Sequence, residues 1–312
     1  MPSFTSRIIK FLIRRYLAHA KRDDWTVEQR RRHLLKLTRR YLKTPQTLIS
    51  EKVEIGDIPA QWLTFPTSHP QRIVYYLHGG AYVMCSIETH RYLIAKIARA
   101  ADARVLAIDY RLAPEHPYPA ALRDALAGYH WLLEQVGDPN RIVIAGDSAG
   151  GGLTVSLLIA LREKGLPLPA AAVCLCPWAD LTLSGESMRT KANEEIIIPV
   201  KYIPLAVEAY LDGTAADTTT VSPIFADLTG LPPMLIQAGT SEVLLDDAKR
   251  LAQRARDCGV ETSLEIWDGM IHVWHFFAIA MPEARAAIRR VGDFIKEKIP
   301  SKNVENRAVD AS

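Results

Sequence analysis

Residues 141–162, RIVIAGDSAGGGLTVSLLIALR, constrain the fold more than any other stretch of the chain. The apolar, β-branched run predicts a strand over 141–147, and the apolar recurrence after the glycines predicts a helix over 148–164. Between them stands Gly146-Asp147-Ser148-Ala149-Gly150, a G-x-S-x-G sequence. Set between a buried strand and a helix, this pentapeptide becomes a sharp turn that lifts a serine hydroxyl above the end of a sheet. The glycines are needed because side chains there would collide. The hydroxyl would stand at the positive end of the following helix. A serine N-cap on a glycine-rich turn is the plainer reading, but strand, turn and helix all fall in register. Ser148 is therefore the candidate nucleophile.

A strand that feeds a helix in this way is a unit of parallel sheet, and the chain repeats it. Strand patterns cover 51–58, 61–65, 73–79, 104–110, 141–147, 171–177, 234–239 and 262–269; helical patterns cover 88–101, 119–136, 148–164, 245–258 and 283–298. The alternation predicts one doubly wound α/β domain. The later strands are continuous apolar runs, as central strands covered on both faces should be. The first two are close enough to form an antiparallel pair at one edge. Cys174 and Cys176 alternate with apolar residues and are expected on the same side of a buried strand. Two stretches stand outside the pattern: 1–45 is helical and precedes the sheet, and 183–220 lacks strand character. Both are expected to build a lid over the C-terminal edge of the sheet. The division that follows is an N-terminal cap segment at 1–45, core at 46–182 and 221–300, a cap insertion at 183–220, and a flexible tail at 301–312.

Charge is unevenly spread. Of the net +3 over 312 residues, positions 1–43 carry thirteen Lys/Arg against three acids, leaving the remainder at −7. A basic amphipathic start suits a membrane surface or a nucleic acid. The rest of the chain has no basic stripe, so a solvated helix face whose apolar side packs on the body is expected, with no nucleic-acid partner. The run Phe11–Ile13, broken by Lys10 and by Arg14-Arg15, is too short for a span or a signal core. No stable membrane insertion is expected. Four cysteines, none at metal-ligand spacing with histidines, argue against a disulfide framework and against a metal site. A cytoplasmic protein without a cofactor is expected.

Acyl transfer to Ser148 would need donors aimed at the oxygen on which charge develops. His78-Gly79-Gly80-Ala81 follows directly on the third strand, and its glycines let bare backbone approach a ligand. The N–H groups of Gly79, Gly80 and Ala149 are the candidate donors, with His78 organising the loop. Tyr82 and Asp147, beside these motifs, are candidate substrate contacts.

His78-Gly-Gly-Ala81, YRLAPEHPYPAA (110–121) and Gly146-Asp-Ser-Ala-Gly-Gly151 occur in that order. Together they resemble the hormone-sensitive-lipase family of α/β-hydrolases, the bacterial family IV esterases, over residues from about 50 to 298. Ala81 stands where many members have a third glycine. The resemblance implies an eight-stranded, mostly parallel α/β-hydrolase sheet flanked by helices, with a helical cap. It implies a carboxylester hydrolase acting on short- to medium-chain acyl esters, a small-molecule ester as partner, and the homodimers frequent in the family. Arg111 and Glu115 are expected to form a structural ion pair bracing the Pro-rich loop. Apolar cap residues, Ile8, Ile9, Leu12, Tyr16, Ile196–Ile198 and Tyr202, either line an acyl pocket or bury against the body. Similarity of the segments at 177–187 and 239–247 to monoterpene ε-lactone hydrolases leaves a lactonase as an alternative. An amidase or deacetylase would use the same triad. A non-catalytic receptor on this fold should lack the catalytic histidine.

In this fold the triad runs serine, acid, histidine along the chain. Only His272 and His275, in WDGMIHVWHFF, lie late enough for the base. His272 falls on the loop after the last strand, at the family's late G-x-x-H; His275 begins an apolar run and is expected to pack. The acid belongs after the seventh strand, in GTSEVLLDD (239–247). Glu242 lies in that loop, whereas Asp246 and Asp247 open the next helix, where the dipole stabilises acids without a catalytic role. The family's D-P-L-x-D aligns with Glu242-Val-Leu-Leu-Asp246, with Glu and Val as departures. The expected triad is Ser148, Glu242 and His272.

Overall fold

The computed structural model describes residues 2–18 and 25–301. The tail expected at 301–312, apart from Ser301, lies outside the described residues, as do Lys21, Arg22, Asp23 and Asp24 of the basic segment. Strands β1 (Ile49–Ile55), β2 (Ile58–Thr64), β3 (His69–Leu77), β4 (Ala103–Ile108), β5 (Ile142–Asp147), β6 (Ala171–Leu175), β7 (Met234–Gly239) and β8 (Thr262–Trp267) form one sheet. Their order is β1-β2-β4-β3-β5-β6-β7-β8. β1 pairs with β2, and β2 with β4, in antiparallel fashion; every other pairing is parallel. The antiparallel edge is as expected, but its turn is not where the pattern put it. Ile55 pairs with Ile58 across Gly56-Asp57, with Gly56 at φ +59°. The two residues read as strand are the hairpin turn, because glycine reaches a left-handed φ without a steric penalty.

Helices α1 (Phe4–Ala18), α2 (Val27–Tyr41), α3 (Ile87–Ala101), α4 (Ala120–Val136), α5 (Ala149–Glu163), α6 (Ser187–Thr190), α7 (Ile203–Leu211), α8 (Leu245–Asp257) and α9 (Pro282–Lys298) surround it. The period-two alternation of the strands divides the core. Ile73, Tyr75, Leu77, Ile142 and Ile144 face α4, α5 and α8, while Val74, Tyr76, Val143 and Ala145 face α3 and α9. That double coverage is why these strands read as unbroken apolar runs. Cys174 packs in the first layer and Cys176 in the second, against the expectation of one shared side. The strand ends at Leu175, and Cys176 turns off at φ +47°, which reverses the alternation.

The apolar surface of α1 is split. Ile9 and Ile13 pack against the α3/α9 layer, and Ser3 and Ser6 bond the Glu283 carboxylate of α9. Phe4, Phe11 and Leu12 remain exposed, Phe4 at 77%. α2 starts in a capping box of Thr26 and Gln29. Its Arg31 donates to the carbonyls of Val83 and Ala113 (2.8 Å each) and forks onto Glu115 at 2.8 Å. Arg111 instead bonds Asp124 at 2.6 Å. The expected Arg111–Glu115 pair is therefore replaced by two pairs, since the docking of α2 brings a better-placed cation to Glu115. Residues 183–220 hold α6 and α7 and no strand. Ile196 and Ile197 pack on the α3/α9 layer, and the carbonyl of Tyr210 in α7 accepts the N–H of Tyr118 at 2.7 Å.

Candidate active site

Ser148 sits between β5 and α5 at φ +53°, ψ −122°, a conformation that L-residues rarely adopt. Its N–H donates to Leu175 at 2.8 Å and its carbonyl accepts from Trp178 at 2.9 Å, so β6 and the following loop hold the strained turn. The glycines on either side are required by close approach. A Cβ on Gly146 would lie 2.3 Å from the Gly150 carbonyl oxygen, and one on Gly150 would lie 2.1 Å from that of Leu77. Ser148 is 8% exposed, and no hydrogen bond joins its Oγ to His272. Such bonds tighten when substrate binds.

The loop after β3 departs from expectation at one donor. Gly79 N–H is taken by Asp147 Oδ1 at 3.1 Å. Among the described residues, no acceptor meets the N–H of Gly80 or of Ala81. Both have positive φ, +117° and +54°, and a Cβ on Gly80 would lie 2.1 Å from the Met84 carbonyl oxygen. Ala149, first residue of α5, leaves its N–H outside the helix ladder. The free donors are thus Gly80, Ala81 and Ala149. Gly79, expected as a donor, instead has its N–H engaged by a neighbouring carboxylate. Ala81 N–H is a donor the sequence reading does not name; its place as third after the histidine is the available signal.

Asp147, expected as a substrate contact, turns inward. Its carboxylate accepts from Tyr76 Oη at 2.7 Å and from Gly79, and faces His90 Nε2 at 3.2 Å. Both of its oxygens are engaged inside the protein, tying β5 to the loop after β3 and to α3. Burial alone would push its carboxyl up, but His90 and the hydroxyl of Tyr76 hold it below the usual range. His78 is pushed down to about 3 by burial, and so is neutral. It bonds the Gly79 carbonyl at 2.7 Å and stacks on Tyr110, whose hydroxyl returns to the His78 carbonyl at 2.6 Å. Tyr82 lies buried in a parallel stack on Tyr210 of α7, centroids 3.8 Å apart.

At the far side of the same sheet edge, His272 Nδ1 meets Glu242 Oε2 at 2.6 Å. Glu242 is wholly buried, and its other oxygen accepts Gly239 N–H at 2.6 Å. Burial opposes a charge on His272, but the bond and charge of Glu242 outweigh it and raise the imidazole above its ordinary 6.5. His275 bonds Gln237 Oε1 at 2.8 Å and is pushed down to about 3 by burial, a packed neutral residue. The three acids of GTSEVLLDD have separate tasks. Asp246 Oδ2 accepts Ser187 N–H at 2.8 Å, and Asp247 Oδ2 accepts those of Ala179 and Asp180, each at 2.9 Å. Cys176 Sγ lies within 4.8 Å of ligand atoms of both Glu242 and His272. Burial and the adjacent Glu242 carboxylate keep that thiol protonated, while the Glu242–His272 bond occupies the atoms a metal would need.

A family described as the α/β-hydrolase fold matches residues 74–276. An acetyl-hydrolase of Streptomyces hygroscopicus is 47% identical over 244 residues, 78% of this chain and 81% of the relative. The crystal structure of an esterase from the bacterial hormone-sensitive lipase family superposes with a TM-score of 0.91 at 42% identity, over 96% of this chain and 99% of the other. The chain belongs to the hormone-sensitive-lipase family of α/β-hydrolases. It is an enzyme of the carboxylesterase class on that fold. A further neighbour, EstE5, in a crystal soaked with p-nitrophenyl butyrate, superposes with a TM-score of 0.90 at 42% identity, over 95% of this chain and 99% of its own. Among the described residues, no helix is long and apolar enough to cross a membrane.

Proposed function

We propose that this hydrolase cleaves short- to medium-chain carboxylic esters through Ser148, Glu242 and His272 by way of an acyl-enzyme. The 2.6 Å bond between buried Glu242 and His272 Nδ1 carries the reading. A carboxylate on Nδ1 keeps the proton there and leaves Nε2 free to accept one. His272 Nε2 takes the hydroxyl proton as Ser148 Oγ bonds to the ester carbonyl carbon. The carbonyl π electrons move to oxygen, which meets the N–H groups of Gly80, Ala81 and Ala149. Collapse breaks the bond to the alkoxy group, which leaves as alcohol with the proton from His272. Water, deprotonated by His272, then attacks the acyl-enzyme; the acid departs and Ser148 recovers its proton.

Residues 1–45 and 183–220 form the cap in this reading. The stack of Tyr82 on Tyr210 supports it, since it joins the oxyanion loop to α7 and lets the insertion bound the acyl side. The acetyl-hydrolase relative and the butyrate ester soaked into EstE5 support short acyl groups. A panel of p-nitrophenyl esters from acetate upward, with wild type and Ser148→Ala, tests the proposal. Turnover should be greatest among the shorter chains and vanish in Ser148→Ala. Wild-type turnover in that variant would end the mechanism.

A further inference from the structure

Glu195, in the insertion, is a buried carboxylate with no cation beside it among the described residues, yet it touches the loop that carries Glu242. Its Oε1 accepts the N–H groups of Ile197 at 2.7 Å and Ile198 at 3.0 Å. Its Oε2 accepts Val243 N–H at 3.3 Å, next in chain to Glu242. Neighbouring bonds make the same connection. Ser187 Oγ donates to the Val243 carbonyl at 2.6 Å, and Ser241 Oγ meets Glu194 Oε2 at 3.2 Å. From the other cap segment, Lys10 Nζ donates to the Gly269 carbonyl at 2.8 Å and to Ser241 Oγ at 3.3 Å. The acid and base loops are themselves laced, Ser241 N–H to Met270 at 2.9 Å and Gly269 N–H to Thr240 Oγ1 at 2.7 Å.

This arrangement makes little sense as a lid resting on a finished site. A carboxylate among backbone donors is desolvated, and here its charge also falls on His272. We propose that Glu195 is a positioning residue: it seats the acid loop through Val243, so that the insertion completes the base. The proposal rests on the triad reading above. During the reaction the imidazolium formed from His272 would be bonded to Glu242 and lie in the field of the Glu195 and Asp147 carboxylates, with the Cys176 thiol and neutral His275 as its other titratable neighbours.

Glu195→Gln keeps the shape but sets an amide NH2 against one of the N–H donors and removes the charge. Expected are a fall in kcat of about tenfold, the loss that follows one unmet buried hydrogen bond, with KM nearly unchanged. The acid limb of kcat/KM should also move to lower pH, because a negative charge that favoured imidazolium has gone. Circular dichroism and a melting curve accompany the kinetics. Unchanged kcat with the limb in place would overturn the proposal. So would a lower kcat with an unmoved limb and a lower melting temperature, the signature of a merely structural side chain. Should Glu195→Gln not fold, Lys10→Met examines the opposite arm: a several-fold fall in kcat supports the coupling of cap to loops, and wild-type kcat refutes it. Ser148→Ala separates the two levels. Retained turnover there removes the triad and this proposal together, whereas abolished turnover with an indifferent Glu195→Gln removes this proposal alone.

Discussion

Glu242→Gln asks the most of the proposed triad, because the surroundings of that carboxylate leave an amide no good orientation. Oε1 receives Gly239 N–H at 2.6 Å and Oε2 receives His272 Nδ1–H at 2.6 Å, both in a wholly buried site. Glutamine offers one acceptor and one donor. If its oxygen stays on Gly239, its NH2 faces Nδ1, which must then accept, and the ring proton moves to Nε2. That tautomer cannot take a proton from Ser148. If the amide turns over, the correct tautomer survives, but NH2 and Gly239 N–H oppose each other. A buried donor without an acceptor costs about 1–3 kcal/mol, so the productive orientation is populated about 5- to 150-fold less. Loss of the carboxylate's stabilisation of imidazolium comes on top, and the analogous Asp→Asn change in serine proteases lowers kcat about 10⁴-fold. The expected loss in kcat therefore lies between about 10²- and 10⁴-fold. Asp246→Asn retains an oxygen for Ser187 N–H and should lose less than about threefold, like other surface changes at a helix start. The assay is p-nitrophenyl butyrate hydrolysis at saturating substrate, near pH 8. Equal losses in the two variants, or a larger loss in Asp246→Asn, would refute the reasoning.

Three other outcomes follow from the same geometry. Since Glu242 raises the His272 pKa above 6.5 and the base must be neutral, kcat/KM should fall as pH drops through a midpoint above that value. A flat profile from about pH 5 to 8 would exclude His272. Gly150→Ala would put a methyl group 2.1 Å from the Leu77 carbonyl oxygen, and thermal denaturation should show at least about 3 kcal/mol of destabilisation, or no folded protein. The Arg31–Glu115 pair is partly exposed, at 24% and 53%, so Glu115→Gln should change urea stability by less than about 1 kcal/mol. Arg31→Ala should lose more, about 1–3 kcal/mol, because the carbonyls of Val83 and Ala113 lose a donor as well.

Much of the architecture was legible from periodicity. All eight strands and the five helices of the sheet layers stand within a few residues of their patterns; in the central strands, burial on both faces writes long apolar runs into the chain. The misreadings share a cause. Gly56-Asp57 reads as strand since an alternating pattern does not register a tight turn. Cys176 was set beside Cys174 since period two holds only while the backbone stays extended, and at φ +47° it does not.

By itself, the amino-acid order determined the elbow at Ser148 and the place of the loop proposed as the oxyanion hole, and it marked Glu242 and His272 as the proposed acid and base. These depend on local backbone chemistry: glycines at close approaches, a serine between strand and helix, acids before or within a first helical turn. Only the tertiary structure decided which partner each polar group takes. Asp147 claims the Gly79 N–H across 68 residues, and Arg31 reaches Glu115 across 84. Val243 N–H finds Glu195 across 48. Hydrogen bonds reach about 3 Å, so a donor's fate turns on packing distances that no spacing along the chain encodes.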